Sequence, residues 1–272
     1  VRRRSVKNVI EEIREVKEKY NINRVFFYDD IFILSKSWLE DFSFSYKKEI
    51  DLPFFCNVRA ELVDDKAVRL LKIAGCIIIG MAIETANDKL RNDLLDRYVS
   101  KEQLISVSKI IKSYGIKLIT YNMFGLPYSN LDDEISTLKL NRRCRSDFVD
   151  VSFYQPYLNT KLGKRAIEIY GFNGNFGKYL DKKSNFFIAN ALTINDKYKR
   201  RQIENLHYLS DILVKCSALL LLAKFIVKLP LNKIYFKFYK IWMGYVRYHR
   251  LSCRKMKFLD YLKMLIFYFR KI

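Results

Sequence analysis

The sequence predicts an α/β fold, a helix-covered parallel sheet followed by a basic helical region rich in aromatic residues. Three observations predict it. Amphipathic helical stretches alternate with short apolar runs through residues 5–153, and continuous apolar runs between helices mark parallel strands buried on both faces. The runs start near residues 24, 54, 76, 116 and 148, about one βα unit apart. Gly75 and Gly115 stand where a helix must give way to a strand, the place for a left-handed helix cap. Periodicity leaves two architectures open: a doubly wound open sheet, or a TIM-type barrel, whole or partial. In both, residues at strand C-termini face the ligand.

Ser5 is positioned to cap a first helix, whose apolar residues Val6, Val9, Ile10, Ile13 and Val16 recur at steps of three and four. Arg24 to Tyr28 follows as a buried strand, then a helix from about Ser37 and a second strand, Pro53 to Val58. Asp64 or Asp65 caps the next helix, which ends at Ala74-Gly75 before a third strand, Cys76 to Ile83. Helical stretches near 87–95 and 101–113 lead to a fourth strand, Ile116 to Asn122. A helix near 131–144 precedes the fifth, Asp147 to Phe153.

With 272 residues, half of them apolar and 15% aromatic, the chain can bury a large core and is neither disordered nor fibrous. The net charge is +21, and about +13 of it falls in residues 212–272, which points that region toward an acidic partner surface. The longest uncharged run there, Cys216 to Ala223, is too short to cross a bilayer. Five widely spaced cysteines and two histidines, none at metal-ligand spacing, read as reduced thiols in a cytoplasmic protein. Neither a dinucleotide fingerprint nor a P-loop is present, and His207 and His249 lie outside the repeating region.

Polar residues collect at the expected strand ends. They are Asp29 and Asp30, Asn57 and Arg59, Glu84 and Thr85, Asn122 with Gly125-Leu126-Pro127, and Tyr154-Gln155-Pro156-Tyr157. Taken singly each has a structural reading. Asp29 and Asp30 could cap the following helix, Glu84 the helix after Asn87, and Arg59 could pair with Glu61 or Glu84. Together, at one structural level, they outline a site.

The segments VRRRSVKNVIEEI, FFYDDIF, PFFCNVRAEL, AGCIIIGMAIETAND, YGIKLITYNMFGLP and VSFYQPY resemble the radical S-adenosylmethionine (SAM) superfamily. The likeness covers residues 1 to about 165 and is nearest the branch that carries a cobalamin-binding domain ahead of the barrel. It implies a partial (βα)₆ TIM-like barrel over residues 1–165. The composition beyond it, rich in glycine and asparagine with no lasting period over 171–195, reads as a loop segment over 166–196, either a lid over the barrel mouth or a plain connector. A basic helical region over 197–272 follows. The five strands would be the second to sixth. The first strand and its C-x-x-x-C-x-x-C loop, which holds a [4Fe-4S] cluster, would fall before Val1, so the chain alone is expected to bind no cluster and to be inactive. By the same resemblance Asp29 and Asp30 meet the methionine amino group of SAM, and Glu84 accepts the ribose hydroxyls. Asn57 and Arg59 face SAM or substrate, Asn122 lies near SAM, Gly125 to Pro127 lines the adenine, and Tyr154 to Tyr157 closes its pocket. The family's usual Pro-Gly-Thr is replaced here by Leu158-Asn159-Thr160. Cobalamin in that branch relays a methyl group to an unreactive carbon, or serves other remodelling chemistry, on a small-molecule or lipid-like substrate.

A helical region is expected from about Lys197 to Lys228, then a run of interleaved lysines and aromatics, Lys233 to Lys240. Three roles fit: a helical cap with a solvated basic face, contact with an anionic membrane at its inner face, or single-stranded nucleic acid. They are favoured in that order. The rival to an enzyme is a non-catalytic basic barrel that binds a membrane surface or nucleic acid.

Overall fold

Ser5 and Ser35 begin the first two helices, each side-chain oxygen accepting a backbone N–H three residues on, from Asn8 and Trp38 respectively, at 3.2 Å. The structure is a computed structural model that describes residues 4–155, 157, 159–170 and 197–246. Five strands, β1 (Val25–Phe26), β2 (Phe54–Val58), β3 (Cys76–Glu84), β4 (Lys117–Phe124) and β5 (Phe148–Phe153), form one sheet in the order β1-β2-β3-β4-β5. The strands are parallel, as in a partial TIM-like α/β barrel. Helices α1 (Val6–Lys19), α2 (Lys36–Glu49), α3 (Asp65–Ala74), α4 (Lys101–Ser113) and α5 (Leu131–Arg143) precede or connect them. After β5 come α6 (Lys161–Tyr170), α7 (Lys197–Lys215), α8 (Ser217–Leu221), α9 (Ala223–Ile226) and α10 (Asn232–Tyr245). The described chain forms two compact units, and β3 and β4 contribute residues to both.

The first unit takes in Val1–Ala82, Val99–Thr120 and Arg143–Asp147. Its centre is aromatic. Phe27, Phe32, Trp38, Phe42, Tyr46 and Phe54 meet at ring separations of 4.8 to 6.1 Å, mostly edge to face, with Trp38 stacked on Phe42 at 5.0 Å. This cluster explains why β1 is shorter than the expected Arg24 to Tyr28. After the Phe27 N–H bonds the Phe55 carbonyl, the chain leaves the sheet and Phe32 N–H takes the Asn57 carbonyl. Gly75 ends α3 at φ +102° and returns its N–H to Leu71 and Lys72, a conformation that a residue with a Cβ adopts at a cost. Asp64, rather than Asp65, caps α3.

The second unit takes in Ile83–Tyr98, Tyr121–Arg142 and Phe148–Ile272. Phe124, Ile135, Leu138, Val149, Val151, Ile203, Leu206 and Leu213 form its main core. The helical stretch expected near 87–95 is present over residues 88–94 and widens at Leu90–Leu94, where Leu95 N–H bonds the Leu90 carbonyl. Within it the buried Arg91 donates from Nη1 to the Thr85 carbonyl at 2.7 Å. The helix expected over 197–228 is broken at Cys216, where Nη1 of Arg142 takes the Val214 and Lys215 carbonyls at 2.8 and 3.1 Å. No helix among the described residues is long and apolar enough to cross a membrane. Of the loop expected over 166–196, residues 166–170 fall in α6 instead; residues 171–196 and the tail beyond residue 246 lie outside the described residues.

Candidate functional site

Glu84 closes β3 with φ +63°, a left-handed conformation uncommon for a residue with a side chain and found often at functional positions. The turn is held locally. Thr85 N–H bonds the Ile83 carbonyl, and the Thr85 hydroxyl accepts Asn87 N–H at 3.1 Å. Asn87 Oδ1 accepts Leu90 N–H at 3.2 Å, so Asn87 does the capping work that Glu84 could have done. The Glu84 carboxylate pairs with Arg97, Nη1 to Oε1 at 2.8 Å. Burial pushes its pKa up, and the Arg97 charge and hydrogen bond oppose that shift. Among the described residues Oε2 receives no hydrogen bond.

The Gly125-Leu126-Pro127 turn after β4 is tied down from behind. Gly125, at φ +70°, donates its N–H to Oε1 of Glu134 at 2.7 Å, and the Ser129 hydroxyl donates to the same oxygen at 2.8 Å. Glu134 is fully buried, and among the described residues its Oε2 has no hydrogen-bond partner. Burial pushes its pKa up to about 8, against the lowering effect of those two bonds, so the carboxyl is largely protonated at neutral pH. Leu126 and Tyr154 share an apolar cluster with Leu90 and Leu94, packed by Leu95, Met123 and Leu162. The Tyr154 hydroxyl donates to the Leu162 carbonyl at 3.0 Å. Tyr157 is exposed, Gln155 half-buried, and Pro156 lies outside the described residues. In the loop that replaces Pro-Gly-Thr, the Thr160 hydroxyl donates to the Tyr157 carbonyl at 2.7 Å and accepts Gly163 N–H at 2.9 Å.

Asn122 is turned elsewhere. Its amide is exchanged with that of Asn141 on α5, at 2.7 and 3.3 Å, and its Nδ2 also donates to the Asp150 carbonyl at 3.1 Å. Alternate β4 residues Thr120, Asn122 and Phe124 share one face, and Phe124 packs with Ile135 and Leu138 of α5. Asn122 therefore belongs to the sheet–helix layer and buttresses β4.

In the first unit, Asp29 and Asp30 are exposed and cap nothing, since Ser35 caps α2. They line a groove of ≈ 930 Å³ with Arg4, Arg24, Phe26 and Tyr28. Asn57 donates from Nδ2 to the Asp29 carbonyl at 3.3 Å, which joins the ends of β1 and β2. Arg59 pairs with Glu61 at 2.6 Å. Among the described residues no three His, Cys, Asp or Glu side chains converge as metal ligands. Buried Cys56 and Cys76 approach to 4.0 Å between sulfurs, and burial, then the neighbouring thiol, raises the Cys56 pKa. Buried thiols of that kind are unreactive. Arg97 and Glu134 were not among the residues expected from sequence, since each lies well beyond the strand end it serves.

Comparison with known proteins gives the arrangement its context. An uncharacterized methyltransferase of Pyrococcus horikoshii is 26% identical over 164 residues, covering 60% of this chain and 36% of its own length. The cytidylyl-2-hydroxyethylphosphonate methyltransferase of Streptomyces wedmorensis is 23% identical over 129 residues, covering 47% and 24%. The chain thus spans about a third or less of the curated relatives it matches. Among solved structures, the radical SAM methyltransferase TsrM of Kitasatospora setae, with cobalamin and a [4Fe-4S] cluster bound, superposes with a TM-score of 0.55 at 14% identity, over 63% of this chain and 36% of that one. Apo OxsB, a cobalamin-dependent SAM radical enzyme, gives 0.54 at 14% identity over 99% and 46%. These likenesses support the fold. The radical SAM superfamily model matches residues 1–140, more than half of the sequence, and the chain belongs to the radical SAM superfamily.

Proposed function

We propose that the chain holds SAM at the C-terminal ends of its strands, as part of a cobalamin-dependent radical SAM enzyme that transfers a methyl group. The observation that carries the reading is Glu84. One oxygen is fixed by Arg97, and the other receives no hydrogen bond among the described residues. A carboxylate presented in this way suits a ribose diol, whose two hydroxyls both need acceptors. The Leu126–Tyr154 cluster beside the Gly125 turn supplies an apolar wall for adenine. Asn122 acts one step back, through the Asp150 backbone it holds.

The methyl-transfer part of the reading draws support from the two curated relatives and TsrM, all methyltransferases. A bound [4Fe-4S] cluster would supply the electron that cleaves SAM. The described residues do not fit one, so this chain's own contribution is to bind and orient SAM and to shield it from water. Family membership favours this reading over a non-catalytic basic barrel. Isothermal titration of the purified chain with SAM tests it. Saturable binding that weakens about tenfold or more in Glu84→Ala is expected, from the loss of hydrogen bonds to a charged group. Folded protein that shows no SAM binding would overturn it.

A further inference from the structure

Residues 217–227 show apolar side chains on two opposed faces. Leu220, Ala223 and Val227 are buried in the core with Ile203 and Leu206. On the other side Leu221, Leu222 and Phe225 are 79%, 56% and 68% exposed. A helical segment on a protein surface ordinarily turns polar residues outward, and one apolar all round has a second apolar neighbour. The segment is firmly placed, because Asn205 donates from Nδ2 to the Val227 and Leu229 carbonyls at 2.9 and 3.3 Å. The Tyr235 hydroxyl donates to the Ile226 carbonyl at 3.1 Å, which sets α10 beside α9. There Lys233, Ile234, Lys237 and Phe238 are exposed.

Charge identifies the neighbour. Residues 212–246 contain six lysines and no acid. Two nearby acids are already engaged, Asp132 by Lys224 at 2.5 Å and Glu204 by Asn232 at 3.3 Å. Three of the five outward apolar residues, Leu221, Leu222 and Ile234, offer no ring on which a base could stack, which favours lipid over single-stranded nucleic acid. Aliphatic and aromatic side chains ringed by lysine instead match the boundary between acyl chains and anionic headgroups. We propose that α8, α9 and the outer face of α10 seat the protein on an anionic lipid surface. Leu221, Leu222, Phe225 and Ile234 enter the acyl boundary, and Lys228, Lys233 and Lys237 lie among the headgroup phosphates.

The test is co-sedimentation of the full chain with phosphatidylcholine vesicles, with and without phosphatidylglycerol. Binding to the anionic vesicles that weakens as salt is raised is expected. The L221E/F225E variant should bind about tenfold more weakly or worse, through lost apolar burial, with its far-UV circular dichroism unchanged. Should that variant misfold, K233A/K237A gives an independent reading, at about fivefold per lysine removed. Indifference of vesicle binding to both variants would overturn the proposal. So would binding to a single-stranded oligonucleotide without binding to vesicles.

Discussion

Arg97 donates from Nη1 to Oε1 of Glu84 across 13 residues of sequence, at 2.8 Å. Both side chains are less than a fifth exposed, so the pair sits where charge is costly to leave alone. Arg97→Ala is expected to move the Glu84 pKa further upward, because the Arg97 charge and hydrogen bond are what oppose burial there. Stability should fall by about 1–3 kcal/mol. A carboxyl NMR titration and a urea melt measure the two effects. An unmoved Glu84 titration would show that the pair is not formed in solution.

Glu134 gives the protein a definite pH dependence. Its pKa rises from the ordinary 4.5 to about 8 on folding. A carboxyl raised in this way contributes stability that is fully present below pH 4.5 and is lost as pH rises through about 8. Glu134→Gln keeps the acceptor for Gly125 and Ser129 and cannot ionise. Its stability should lack the decline that the wild type shows between those pH values. Melting temperatures across that range would show it, and parallel curves for the two proteins would contradict it.

The aromatic cluster of the first unit predicts a large effect from one truncation. Phe42 is fully buried and meets Phe27, Phe32, Trp38, Tyr46 and Phe54. Phe42→Ala should cost about 3–5 kcal/mol, read from denaturant unfolding. A cost below about 1 kcal/mol would mean that the cluster collapses around the cavity.

Reconstitution with iron and sulfide under anaerobic conditions should leave the chain without a stoichiometric [4Fe-4S] cluster. The described residues bring together only the thiols of Cys56 and Cys76, and a cluster needs more cysteines than that pair provides. Iron and sulfide in cluster stoichiometry would contradict this.

Strand identity was legible in the sequence because buried parallel strands are continuous apolar runs, and the Gly75 and Gly115 junctions fixed where they begin. The length of β1 was not, since Phe27 and Phe32 serve an aromatic cluster assembled from α2 and β2. Nor was the widening of the helix at Leu90–Leu94, whose i→i+5 bonding has no marker in the local sequence. Glu84 could be placed at a strand end from the apolar run before it. Its partner Arg97 and the buried Glu134 carry no local signal, because each is recruited by tertiary packing. The facing of Asn122 could have been read from its parity with Phe124, once Phe124 is assigned to the core shared with α5.

A ligand lacking one hydroxyl probes the central contact most directly. S-adenosylhomocysteine and its 2′-deoxy analogue, titrated into wild type and Glu84→Gln, form a double-mutant cycle between the ribose and the carboxylate. The wild type should lose about tenfold or more in affinity when the hydroxyl is removed, and Glu84→Gln should lose much less. Equal losses in the two proteins would mean that Glu84 does not hold the ribose.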